Sequence, residues 1–216
     1  MSTVCMTRED LVKLVTRLVV ERLQSGPSIP IGISNRHIHL SRADMDVLFG
    51  KGSELTWKQD LKQPGQYACQ ETVIVRGPKG EFKKVRVLGP LRPATQLEIS
   101  KTDSFILGVS TPVRESGDLK DTPGIEIIGP AGSVKKDSGV IVALRHIHMS
   151  TEDAKRFGVK DKDVVDVIVG DDTRRATLTN VLVRVSDKFA LEMHIDIDEG
   201  NAVGAQNNDP AYIRKY

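Results

Sequence analysis

The chain has 216 residues, 39% apolar and 28% charged, the balance of a folded globular protein and not of a disordered or fibrous one. Its 31 Lys and Arg against 29 Asp and Glu leave a net charge of +2, and its aromatics are only five Phe, three Tyr and one Trp, which argues against a nucleic-acid partner held by bulk charge or base stacking. No apolar run approaches the ~20 residues of a membrane span, charges at Arg8, Glu9, Asp10, Lys13 and Arg17 break any export signal, and Cys5 and Cys69 alone support no disulfide framework or cysteine zinc site, so the expectation is a soluble cytoplasmic chain.

In chain order, the first element expected is a helix over residues 7–26. Thr7-x-x-Asp10 can cap it, Leu11, Leu14, Val15, Leu18, Val19 and Leu23 form an apolar stripe at helical spacing, and Gly26-Pro27 ends it. A β-prone run, Ile29–Ser34, then leads into His37-Ile38-His39, and Ser41-x-x-Asp44 has the form of a capping box that announces a short helix. Strands are expected at Thr72–Arg76 and Phe82–Leu88, around the Gly-Pro-Lys-Gly turn, and at Leu97–Ser100. Gly117–Thr122 with Pro123-Gly124 reads as a connection. Beyond it the pattern returns: Gly139–Leu144 is β-prone, His146-Ile147-His148 follows, and Ser150-x-x-Asp153 again has the capping form. Further strands are expected at Val164–Val169, Ala176–Val185 and Leu191–Ile197.

The segments 35–44 and 144–153 are therefore two copies of one motif, with His37 and His146 lying 109 residues apart, about half the chain, as duplication would leave them. Short strands with few helices predict a mainly β fold of two small closed or half-closed units, each with a helix: residues 29–122 and 125–216 behind the N-terminal segment 1–26.

The histidines carry the chemistry. In a strand, side chains at i and i+2 share a face, so His37 and His39 converge while Ile38 turns away, and the same holds for His146 and His148 around Ile147. Late in each half comes a third candidate, Glu98 in Gln96-Leu-Glu98 and His194 in Glu192-Met-His194. Three protein ligands with an exchangeable position is the pattern of catalytic zinc, although imidazole-rich sites also suit cobalt, nickel and iron. The ligand sets alone leave a divalent ion with about one net positive charge at the first site and about two at the second, which makes the second the stronger Lewis acid. Asn35 shares the face of His37 and His39, either beside the metal or in a plain turn; Arg36 and Arg145 have the opposite parity. Asp196 and Asp198 fit a solvated strand end. Arg92, between Pro90 and Pro93 and six residues before Glu98, is placed to clamp phosphate.

Gly32–Ser41, its echo at Leu144–Ser150, Leu91–Glu98 and Met193–Asp196 together resemble the PduL-type phosphotransacylases, also called phosphate propanoyltransferases, across roughly residues 7–205. The resemblance implies two duplicated β-barrel domains with short capping helices, the strand at 29–35 exchanged into the second barrel, a two-zinc site at their interface and a homodimer. It implies reversible transfer of a short acyl group, typically propanoyl, between coenzyme A and phosphate, recycling CoA and giving acyl phosphate. By position, one zinc takes His37, His39 and Glu98, the other takes His146, His148 and His194, and Arg92 is the catalytic residue that receives phosphate. Coenzyme A contacts would fall at Ile33, Ser34, Asn35, Lys79, Arg86 and Asn201. N-terminal amphipathic helices in that family direct the enzyme into bacterial microcompartments, so the resemblance implies shell or cargo partners for residues 7–26, in a setting such as propanediol degradation.

On the residues alone, other readings stay open. Metal-bound hydroxide would make a hydrolase of a thioester, ester or amide, and the discriminator is whether water or phosphate accepts the acyl group. His146-x-His148-x-x-x-Glu152 imitates part of a cupin motif, but the first copy has Ala43-Asp44 where the glutamate would stand. Metal storage sits poorly with unequal ligand sets.

Overall fold

The computed structural model describes residues 7–9, 11–13, 16, 26–171 and 173–214; most of the helix expected over 7–26 lies outside the described residues. The strands are β1 Ile29–Ser34, β2 His37–His39, β3 Trp57–Asp60, β4 Tyr67–Arg76, β5 Glu81–Gly89, β6 Gln96–Glu98, β7 Val113–Arg114, β8 Ile125–Ile128, β9 Ser133–Lys136, β10 Val140–Ala143, β11 His146–Met149, β12 Val164–Val169, β13 Ala176–Val185, β14 Glu192–Asp196 and β15 Pro210–Ile213. Among the described residues from 26 onward, four short helices punctuate them: α1 Arg42–Phe49, α2 Lys101–Leu107, α3 Thr151–Phe157 and α4 Ile197–Val203.

The fold is mainly β. One sheet closes into a six-stranded barrel, β1-β14-β11-β13-β12-β15. The other is an open nine-stranded sheet, β7-β10-β6-β2-β5-β4-β8-β9, with β3 paired to β4. Each has its own apolar core. Ile38, Val75, Val87 and Leu97 fill the first, and Ile31, Ile147, Val183 and Met193 the second.

The connectivity at the repeated motif positions the site. β1, which precedes the first histidine pair, runs parallel to β14 in the barrel, with Ile31 opposite Met193. β10, which precedes the second pair, runs parallel to β6 in the open sheet, with Val140 opposite Leu97. Each motif thus begins where the chain crosses from one sheet to the other, through Asn35-Arg36 or Leu144-Arg145. Residues 125–143 add β8, β9 and β10 to the open sheet, so strand membership changes at 144–145 and not within the Gly117–Gly124 connection.

Short helices of this length depend on their caps. Ser100 with Asp103, Ser150 with Asp153 and Asp196 with Glu199 form complete capping boxes at α2, α3 and α4. At α1 the box is altered. Ser41 still accepts from the Asp44 backbone at 3.2 Å, but its own N–H donates to Thr95 Oγ1 at 2.9 Å. The Asp44 carboxylate instead accepts from the Thr95 hydroxyl and from Lys136 Nζ, which couples α1 to β9. The acids at the third position of α2 and α4 also clamp the arginines before the histidine motifs. Arg36 donates to both Asp103 oxygens at 2.9 and 2.7 Å, and Arg145 Nε lies 2.9 Å from Glu199 Oε1. Each ligand-bearing strand pair is thereby fastened to the helix that follows it.

Candidate active site

In β2 and β11 the central isoleucines, Ile38 and Ile147, are fully buried, which turns both histidines of each pair to the opposite face. β6 lies antiparallel to β2, placing Glu98 opposite His37 and Gln96 opposite His39. β14 lies antiparallel to β11 in the same way, with His194 opposite His146 and Glu192 opposite His148. The ligand atoms of His37, His39 and Glu98 all fall within 4.8 Å of one another, as do those of His146, His148 and His194. Both clusters line one cleft of about 770 Å³ between the two sheets.

The first histidine of each pair is held identically. His37 Nδ1 is 2.8 Å from the Asn35 carbonyl, and His146 Nδ1 is 2.8 Å from the Leu144 carbonyl. A carbonyl only accepts, so Nδ1 carries the proton and the Nε2 lone pair faces the cluster. His37 Nε2 stands 3.5 Å from Glu98 Oε2. Among the other ring nitrogens, His39 Nδ1, both nitrogens of His148 and His194 Nε2 are buried without a hydrogen bond. His194 Nε2 comes within 3.1 Å of Glu192 Oε2 but lacks the alignment a hydrogen bond needs. A buried polar atom left unpaired costs about 1–3 kcal/mol, and several converging in two tight groups are donors arranged for a ligand.

Protonation agrees. Burial, aided by the charge of His37, lowers the His39 pKa to about 3. Burial and then His194 bring His146 to about 4, and burial, His146 and His194 bring His148 to about 2. Burial pushes the Glu98 carboxyl up, but His37, His39, the Ser116 hydroxyl and Arg92 outweigh it and hold it down to about 2. Neutral imidazoles and an ionised carboxylate are what a divalent metal requires. The residues fit zinc or a similar ion at both clusters.

Residues that sequence reasoning missed support these ligands. Glu98 Oε1 accepts from Gln96 Nε2 at 2.6 Å and from the Ser116 hydroxyl at 2.9 Å, leaving Oε2 toward His37. Ser116 in turn accepts from Arg92 Nη1 at 3.1 Å, and the Gly117 backbone donates to Gln96 Oε1 at 2.8 Å. Ser116 therefore ties the arginine to the carboxylate. At the second cluster, buried Glu192 accepts from Gln63 Nε2 at 3.1 Å, with Lys62 Nζ 4.0 Å away. A Cβ on Gly32 would fall 2.5 Å from Glu192 Oε1, so the glycine makes room for this carboxylate. Its presence narrows the charge difference between the sites that the ligand sets alone suggest. The signal in the sequence was strand parity, since Glu192 lies two residues before His194.

Arg92, Ile33, Ser34, Asn35 and Arg86 line the cleft. Arg86 is tied to β4, donating to the Cys69 and Gln70 carbonyls at 2.9 Å each. Lys79 and Asn201 are not brought there. Lys79 sits in the far turn of the β4–β5 hairpin, its backbone N–H donating to the Leu107 carbonyl at 3.1 Å, because the hairpin is long enough to carry the turn to α2. Asn201 is exposed on α4, its carbonyl accepting from Arg174. Asp196 caps α4, and Asp198 accepts from the Thr102 backbone at 2.8 Å, so these acids join elements where a solvated strand end was expected. The described thiol, Cys69, is fully buried, and burial pushes its pKa up to about 11.

A family model described as phosphate propanoyltransferase matches residues 30–206. A phosphate propanoyltransferase of Thermotoga maritima is 56% identical over 200 residues, 93% of this chain and 95% of that protein. One of Rhodobacter capsulatus is 57% identical over 187 residues, 87% of this chain and 86% of its own length. One of Salmonella typhimurium is 49% identical over 199 residues, 92% and 94% of the two chains. Among the described residues, no helix is long and apolar enough to cross a membrane.

Proposed function

The chain belongs to the phosphate propanoyltransferase family, and from that premise we propose that it is a phosphate acyltransferase. It moves a short acyl group, propanoyl in the first instance, reversibly between coenzyme A and inorganic phosphate, with one zinc ion at each cluster. The observation that carries this reading is the convergence of two matched ligand groups and a positioned arginine on one cleft.

Divalent ions held by His37, His39 and Glu98 and by His146, His148 and His194 supply Lewis acidity and a soft position for a thiolate. Arg92 takes two phosphate oxygens in the fork of its guanidinium, which Ser116 holds beside Glu98. So oriented, a phosphate oxygen attacks the thioester carbonyl; the carbon–oxygen bond forms as the carbon–sulfur bond breaks, and CoA leaves as its thiolate. Direct attack by phosphate calls for no protein nucleophile, and Cys69 is buried and held as the neutral thiol. Coenzyme A enters past Ile33, Ser34, Asn35 and Arg86. The active form is a homodimer of a chain duplicated as 29–122 and 125–216, and residues 7–26 dock to shell or cargo proteins of a bacterial microcompartment. Deleting 1–26 should spare catalysis and abolish encapsulation; loss of folding would contradict that role.

The test of the reaction is propanoyl-CoA incubated with and without inorganic phosphate, following free CoA and acyl phosphate together. CoA release that requires phosphate and matches acyl phosphate formed is the expected result. CoA release without phosphate, yielding free propanoate, would make the protein a metal-dependent thioester hydrolase.

A further inference from the structure

The cleft holds a second arginine beside the clusters that the proposed reaction leaves without a task. Arg184 lies on β13 in register with His148 and lines the same cleft as Arg92. Phe189 packs against both: its ring centroid is 4.2 Å from that of His148 and 5.8 Å from the Arg184 guanidinium carbon. The Phe189 ring thus neighbours both the guanidinium and His148 of the second cluster. Among the described residues nothing accepts a hydrogen bond from the Arg184 guanidinium and no carboxylate pairs with it, whereas Arg92 is anchored by Ser116 and Arg36 and Arg145 are paired with Asp103 and Glu199. The Arg184 nitrogens are not among the buried unpartnered atoms, so this guanidinium presents its five donors to the open cleft, where an anion can replace water as their acceptor.

The electrostatics has the same arrangement. Arg92 acts on His39 and Glu98 of the first cluster, Arg184 acts on His146 and His148 of the second, and each lies close enough that Arg184 helps, after burial, to lower the Arg92 pKa. Two like charges held together in a half-buried cleft are unfavourable until an anion arrives between them. A multiply charged tetrahedral oxyanion is the ligand that satisfies two forks at once, since it offers oxygens in more than one plane.

We propose that Arg184 is a second phosphate-binding residue, gripping from the side of the second cluster the same phosphate that Arg92 holds from the first. This rests on the phosphate acyltransferase reading and adds to it a two-arginine cradle. The negative charge that builds as phosphate oxygen adds to the thioester is then opposed from both sides.

The experiment compares wild type, Arg184→Gln, Arg184→Lys and Arg92→Ala as purified metal-containing proteins, measuring inorganic phosphate and CoA binding by calorimetry, acyl transfer, and thermal midpoint. Arg184→Gln should weaken phosphate binding at least about tenfold and lower kcat/KM for phosphate about 30-fold, with CoA affinity changed less than about twofold. Arg184→Lys should recover part of both, since charge returns without the fork. Unchanged midpoints keep the comparison free of folding effects, and a variant that loses its midpoint is replaced by Arg184→Lys as the deciding protein. Unchanged phosphate binding in the Arg184 variants, or weakened CoA binding in its place, overturns the cradle while leaving the proposed reaction intact if Arg92→Ala still loses phosphate. Wild-type protein that binds no phosphate and transfers no acyl group to it overturns both.

Discussion

In the first cluster the strand that completes the candidate ligand set reads Gln96-Leu97-Glu98, with the carboxylate among the candidate ligands and the amide beside it. In the second it reads Glu192-Met193-His194, with acid and neutral group in the reverse order. The frames are otherwise superposable in pattern: a buried isoleucine between two histidines, a first histidine donating to the carbonyl two residues earlier, and an antiparallel partner strand. The two copies of the motif share the geometry and differ in where the negative charge stands, one step along a strand face. A carboxylate in the ligand position takes charge from the ion directly; a carboxylate next to a histidine acts through the field around it. The two sites can therefore carry different tasks on one scaffold.

The first way to sharpen this comparison is to remove the cation assigned to the first cluster. Arg92→Ala should lower kcat/KM for phosphate at least ~100-fold, about 3 kcal/mol for a lost charge-assisted pair, with metal content unchanged. Steady-state kinetics with phosphate varied, beside metal analysis, decides it; retained phosphate kinetics or lost metal would break the assignment.

A smaller effect is expected at Ser116, which joins Arg92 to Glu98 and has no equivalent contact described at the second cluster. Ser116→Ala should cost about 10- to 30-fold in kcat/KM for phosphate and leave CoA binding untouched. An equal loss for both substrates would mean that Ser116 shapes the whole cleft and does not hold the arginine specifically.

The smallest contrast lies in the caps. Asp44 is buried and receives Thr95 and Lys136, while the matching Asp153 caps α3 and pairs with Arg156 nearer the surface. Asp44→Asn should destabilise the fold by about 2 kcal/mol and Asp153→Asn by about 0.5–1. Burial pushes the Asp44 carboxyl up, but the bonds from Thr95 and Lys136 outweigh it and hold its pKa below the ordinary carboxylate value. Its contribution is therefore full above the unfolded pKa of about 3.9 and fades as pH falls through the folded value. Denaturant unfolding at neutral pH and near pH 3 should show the gap between wild type and Asp44→Asn shrinking in acid; a gap that widens would contradict the sign.

The parts legible in the sequence are those written in local period. Alternation around Ile38 and Ile147 told which way the histidines face, and the form Ser-x-x-Asp announced α1 and α3. Glu98 and His194 are legible as the matched third members of the two copies, and the structure groups each with its histidine pair. What stayed hidden depends on contacts far apart in the chain. Ser116 lies 18 residues beyond Glu98, next to a segment that reads as a connection. Gln63 reaches Glu192 across 129 residues. The crossing of β1 and β10 between sheets is a pairing of strands that no local pattern encodes. β3 is exposed at every position and so carries no apolar alternation to mark it. Lys79 lies away from the cleft, and nothing local states how far a hairpin carries its turn from the site.

The central claim is that the two clusters are separate metal sites opening on one cleft. Elemental analysis by mass spectrometry of purified wild type, His37→Ala and His148→Ala tests it most directly. The account predicts two divalent ions per chain in wild type and one in each variant, with the retained ion belonging to the untouched cluster. A fully active wild type with one ion or none per chain, or a single substitution that empties both sites while the protein stays folded, would contradict it.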